Sequence, residues 1–165
     1  MKLKAISLSR LFVFLVFSTT MFSSCKKDSP SGATAQLSAT VGSTSFQPSV
    51  VTGLDISGHI IVGGIQIVSG DTLGLTISIP DTVKAGSVVK LDYSADDLIT
   101  FSHSKTQIGY DTYEDFAHAS ITVSGFDKAN KKVSGSFTGV LYNADGLNKD
   151  SVKINGSFNS AYLTY

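Results

Sequence analysis

The sequence predicts an all-β domain, built as an antiparallel β-sandwich or a barrel-like meander. Three observations point there. From Gln36 onward, short runs alternate apolar and polar residues, the period-2 signature of strands with one buried face. No segment holds a 3.6-residue apolar period through three turns, so helix is expected to be nearly absent. Turn residues, among them many of the fifteen glycines, separate the runs at hairpin spacing.

The chain ahead of that domain reads differently. Met1 to Arg10 carries Lys2, Lys4 and Arg10, and Leu11 to Phe17 is an unbroken apolar run. That run falls short of the ~20 residues a membrane-spanning helix needs, so residues 1–24 read as a signal peptide. Its end, Phe22-Ser23-Ser24-Cys25, resembles the lipobox of bacterial lipoprotein signals, with Phe22 where Leu is usual. The resemblance implies acylation of Cys25 by fatty chains such as palmitate and cleavage before it. Several such chains, at about 0.8 kcal/mol per buried methylene, hold a protein on a membrane durably. Residues 25–35 then form the lipidated cysteine and a small, polar tether, and residues 36–165 a single domain. Lys26 stands where some bacteria use Asp for inner-membrane retention, which by resemblance favours a cell-envelope, outer-membrane location with its side left open.

Composition narrows the function. Removing Lys2, Lys4 and Arg10 leaves ten basic against thirteen acidic side chains, a balance of about −3, and phosphate backbones demand the opposite sign. Nucleic acid is not an expected partner. Cys25 is the only cysteine, so a mature chain acylated there has no thiol for catalysis or zinc.

The strands follow in order. Leu37, Ala39 and Val41 alternate with polar neighbours, and Gly42-Ser43 turns the chain towards Phe46. From Ile60 to Val68 both phases are apolar, predicting a central strand or one covered on both faces, with a bulge or bend at Gly63-Gly64. After the turn Ser69-Gly70-Asp71, Leu73, Leu75, Ile77 and Ile79 alternate cleanly until Pro80. Val88 to Leu91 and Leu98 to Phe101 are shorter strands, and Lys105 to Asp115 reads as a loop. Ala117 to Val123, Val133 to Leu141 and Val152 to Tyr162 complete the set, with turns at Asp127 to Asn130 and Asn143 to Gly146.

Four segments carry a fuller resemblance: Leu37-Ser38-Ala39-Thr40-Val41 with Phe46, Lys84-Ala85-Gly86, Val133-Ser134-Gly135-Ser136-Phe137, and Ile154-Asn155-Gly156-Ser157-Phe158. Together they resemble a family of small Bacteroidota lipoproteins known as a domain of unknown function. The resemblance implies place and architecture and brings no catalytic residues.

No residue pattern supports catalysis, a metal or a cofactor. His59, His103 and His118 lack metal-ligand spacing. Asn143, Asp145, Asn148 and Asp150 offer oxygen ligands without the Glu and helices of an EF-hand, so they read as a hairpin turn. No serine lies in Gly-x-Ser-x-Gly. The segment best suited to a ligand is Gly109 to Asp115, where Tyr110, Asp111, Tyr113 and Glu114 interleave aromatic rings with carboxylates. Such a loop can stack on a sugar and accept hydrogen bonds from its hydroxyls. The expected function is a lipid-anchored binding or scaffold domain for a glycan or an envelope protein. Its alternatives are a glycan hydrolase drawing on Asp92, Asp96, Asp97, Asp111, Glu114 and Asp115, and a barrel holding a small apolar ligand.

Overall fold

The computed structural model describes residues 35–92, 98–112, 117–143 and 150–165, which contain twelve strands and no helix. These are β1 (Gln36–Val41), β2 (Thr44–Phe46), β3 (Val50–Ile56), β4 (His59–Val68), β5 (Asp71–Pro80) and β6 (Val88–Leu91). They continue with β7 (Ile99–His103), β8 (Ile108–Asp111), β9 (His118–Asp127), β10 (Lys132–Asn143), β11 (Ser151–Ala161) and β12 (Leu163–Thr164). The leader and Cys25 lie outside the described residues.

Alternation of apolar and polar residues produces the strands, and hairpin chemistry sets their register. Ser57-Gly58 joins β3 to β4 and Ser69-Gly70 joins β4 to β5, all four residues at positive φ. Two consecutive positive φ values match the right-handed twist of the flanking strands. Positive φ at Gly42 alone, between β1 and β2, fits the mirror-image turn that wants glycine first.

The strands form one continuous mixed sheet that folds over as two halves. One half runs β12-β3-β4-β5-β7-β8, the other β6-β9-β10-β11-β1-β2. All neighbours are antiparallel except β12 with β3. The halves join where Asp111 and Tyr110 of β8 pair with Tyr142 and Asn143 of β10. They join again where β11 passes through Tyr162 into β12, whose Leu163 and Thr164 pair with Leu54 and Asp55. There Gly53 backs directly onto the Ala161 carbonyl, an approach that leaves no room for a Cβ. Between the halves lie the largest fully buried side chains, including Phe46, Phe101, Ile60, Leu75, Ile77, Ile121, Leu141 and Ile154. Phe46 meets Phe101 edge to face, ring centroids 6.1 Å apart, across that interior.

Three expectations change. Lys105 to Asp115 is not a continuous loop, because Ile108–Asp111 forms β8 against β7 and β10. Gly63-Gly64 makes no bulge: β4 pairs with β3 and β5 without a shift. Gly64 instead clears space for Pro48 and Leu37. The register shift falls at Ser134/Gly135, opposite β9. Finally, β4 is central but not covered on both faces, since Ile65 and Ile67 are exposed.

The late Gly-Ser-Phe repeats gain a structural role. β10 and β11 pair so that Gly135 faces Phe158 and Phe137 faces Gly156. Each ring lies over the place where the opposite residue lacks a side chain. A Cβ at Gly156 would run into the Phe137 ring and the Ser38 carbonyl of β1. Gly156→Ala is therefore expected to destabilise the domain by ~1–3 kcal/mol in denaturant titration, as overpacking does. Ser136→Ala, on the exposed face of the same repeat, should stay within about 0.5 kcal/mol.

Candidate functional site

Strands β6 and β7 lie nearly end to end beside β8 and β9. Leu91 pairs with Ala119 while Thr100 pairs with Asp111, and β8 and β9 both pair with the same edge of β10. Each of these composite strands is interrupted where it crosses from one half of the sheet to the other. The first interruption is flanked by Asp92 and Leu98, the second by Thr112 and Ala117. The β10–β11 connection, flanked by Asn143 and Asp150, opens beside them, since Tyr142 pairs with Asp111 on one side and Ser151 on the other. The flanks of residues 93–97, 113–116 and 144–149 thus converge on one corner.

The chemistry of that corner is concentrated. Eight of the chain's thirteen acidic side chains lie in or beside these segments: Asp92, Asp96, Asp97, Asp111, Glu114, Asp115, Asp145 and Asp150. Tyr93, Tyr113 and Phe116 accompany them. A field of that sign repels phosphate and suits partners that donate hydrogen bonds.

The flanks are firmly built. Thr112 is buried, and its Oγ1 accepts the Ile99 N–H at 3.2 Å, tying the end of one composite strand to the other. The Asn143 N–H donates to the Asp150 carbonyl at 3.0 Å. Tyr110 is 9% exposed, and its hydroxyl donates to Asp150 Oδ2 at 3.0 Å. Burial first, then the Asp150 hydrogen bond and charge, raise the Tyr110 pKa above the ordinary tyrosine range.

The structure therefore separates the expected ligand-binding residues. Tyr110 is a core residue whose ring, packed inside β8, is not available to stack on a sugar; this corrects its expected role. Asp111, next to it, is half-buried on the opposite side of the strand. Tyr113 and Glu114 lie outside the described residues, as do Asp96, Asp97 and Asp115 of the expected hydrolase set. Asp92 and Asp111 both stand at the corner.

The histidines are spread out. His59 faces Pro80 at one end of β5, His103 faces Leu73 near the other, and His118 opens β9 in the opposite half. Among the described residues no group of three or more His, Cys, Asp or Glu could hold a metal.

One polar constellation escaped sequence reasoning. Asp71 Oδ2 lies 3.1 Å from His103 Nδ1, while Asp71 Oδ1 accepts the Lys105 N–H at 2.9 Å and the Ser104 hydroxyl at 3.2 Å. Ser104 Oγ also accepts the Thr72 N–H. Serine here bonds the carboxylate rather than the imidazole, so these groups form no nucleophile–base–acid relay. They clasp the β4–β5 turn to the β7–β8 turn, 32 to 34 residues apart in sequence, a separation no local motif reveals.

A broad hydroxyl face was also missed. On the outside of β2, β1, β11, β10 and β9, Ser45, Thr40, Asn155, Thr138 and Ser120 align across the strands, as do Ser38, Ser157, Ser136 and Thr122. A shallow depression of about 190 Å³ lies on it, lined by Ser38, Thr40, Ser45, Gln47 and Asn155. A second, of about 220 Å³, lies beside Phe126, Lys132 and Asn159. Both open onto solvent.

In comparisons with known proteins, no family model matches the chain, and no curated protein or solved structure matches it either.

Two pH dependences follow. The Lys105 backbone N–H, with His103 and Ser104, lowers the Asp71 pKa below its ordinary 3.8. The clasp therefore contributes stability above pH 3.8 that is lost as pH falls through the lower folded value. Asp71→Asn should flatten the acid limb of a thermal-melting profile. Tyr110 carries the opposite sign. Its raised pKa contributes stability below pH 10 that disappears as pH rises through the folded value. Burial also raises the Tyr162 pKa, so spectrophotometric titration should show two late tyrosines, of which Tyr110→Phe removes one.

Proposed function

We propose that the chain is a lipid-anchored cell-envelope protein whose β domain binds an envelope glycan without catalysing its cleavage. The observation that carries this reading is the convergence, on one corner of the sheet, of the flanks of three acidic segments, two of which also carry aromatic residues. Binding groups concentrate on connections held by such scaffolds. Tyrosine and phenylalanine rings can stack on sugar faces, and carboxylates accept hydrogen bonds from sugar hydroxyls. Tyr113 and Glu114, with Tyr93 and Asp96 from the neighbouring segment, are the residues assigned to the glycan. The anchor is Cys25, assigned through the Phe22-Ser23-Ser24-Cys25 signature. The small-lipoprotein resemblance and an outer-membrane location belong to the same reading.

Two measurements test it. Cys25→Ala should abolish incorporation of a clickable fatty acid in cells, and persistent labelling would remove the anchor. On a glycan array the chain should retain a defined set of sugars, and Tyr113→Ala with Glu114→Gln should lower that binding ~10-fold or more, as loss of about 1.4 kcal/mol does. Unchanged retention by the double variant would eliminate the corner as the binding site. Cleavage of a retained glycan would replace binding by a hydrolase reading.

A further inference from the structure

Five of the exposed large hydrophobic residues share one surface. Val50 (52% exposed), Ile65 (47%), Ile67 (75%) and Leu163 (61%) stand there with Ile56. Pairing explains the clustering, since residues directly opposite in a ladder point to the same side. Val50 faces Ile65, Leu54 faces both Ile61 and Leu163, and the next outward position on β4 is Ile67. The other phase of β4, Ile60 and Val62, is sealed in the core. Outward positions of β3, β4, β5 and β12 include no Asp, Glu, Lys or Arg; next to the aliphatic row stand Thr72, Gly74 and Thr76. A solvent-facing sheet surface ordinarily alternates to polar residues, and a contiguous apolar patch of this kind marks an interaction surface.

The chain's own attachment indicates what covers it. β1 starts at Gln36, and Leu37 packs beneath Gly64, the residue before Ile65. The ten residues between Cys25 and Gln36 extend at most ~35 Å. Gln36 itself lies about one sheet spacing, ~10 Å, behind the Val50–Ile65 end of the apolar face. A chain acylated at Cys25 therefore keeps this face within reach of lipid at all times. An aliphatic surface without Asp, Glu, Lys or Arg, whose one titratable group is His59 opposite Ile56 at its far end, has the composition that settles at a bilayer interface.

We propose that the outer face of β3, β4 and β12 docks on the lipid surface beside the anchor. In that orientation the sheet half carrying the hydroxyl face points away from the bilayer. The inference rests on the lipid-anchor reading and goes beyond it, since an anchor alone does not orient a domain.

The test uses the lipidated full chain in phosphatidylcholine vesicles. Because Cys25 is the only cysteine and its thiol is acylated, Ile67→Cys, Leu163→Cys and Ser157→Cys each offer one free thiol for a bimane label. Nitroxide-bearing lipids should quench the label at positions 67 and 163 and leave that at 157, on the opposite half, at full intensity. Equal intensities at all three positions in a chain that carries fatty acid and floats with the vesicles would overturn the docking and leave the anchor standing. A chain that carries no fatty acid and does not float would overturn both. Energy transfer between two labelled copies at position 67, with no lipid quenching, would assign the face to a second copy and overturn the lipid surface as its occupant.

Discussion

The pairing of β10 with β11 is the constraint on which the rest of the domain depends. It runs unbroken from Lys132–Ala161 to Tyr142–Ser151 and seats two phenylalanine rings over two glycines. A one-residue slip would turn Phe137 and Phe158 outward and bring side chains against the Ser38 and Thr122 carbonyls. Every route around the sheet starts from this pair. β10 receives both β8 and β9 on its free edge, β11 receives β1, and the end of β11 runs into β12 to meet β3.

This arrangement also divides the surface chemically. Strands that change halves must break their ladders, and the breaks fall together at the corner where β6 gives way to β7 and β8 to β9. Asp92, Asp111 and Asp150 stand at the described flanks of that corner. Of the two outer faces that remain, one is lined by serine, threonine and asparagine, the other by isoleucine, valine and leucine. The first also carries Lys90, Lys132 and Lys153, while the outward positions of β3, β4 and β12 hold no Lys, Arg, Asp or Glu.

Much of the fold was legible before any coordinates. Alternation located β1, β5, β9, β10 and β11, because one buried face and one wet face write themselves into every second residue. β8 was hidden since its four residues, Ile108 to Asp111, include a glycine and sit between polar neighbours. The doubled glycine in β4 reads in sequence as a bulge or bend, but the ladder runs through it without a shift, and Gly64 makes room for Leu37 of β1 and for Pro48 of the β2–β3 connection. The candidate site was legible only in its ingredients. Tyr110 and Tyr113 are two residues apart and look equivalent in sequence, yet Tyr110 points into the core because β8 pairs Tyr110 with Phe101.

The sequence by itself determined the all-β class, most strands and the tight hairpins. These depend on interactions between residues close along the chain, or on a period of two that any sheet imposes. The tertiary structure alone decided that the flanks of three distant segments share a corner, that Asp71 and His103 clasp two turns, and that Ile65 and Ile67 of β4 stay exposed. Each is a matter of which strand becomes the neighbour of which. That choice is set by packing the whole core at once, and no local pattern records it.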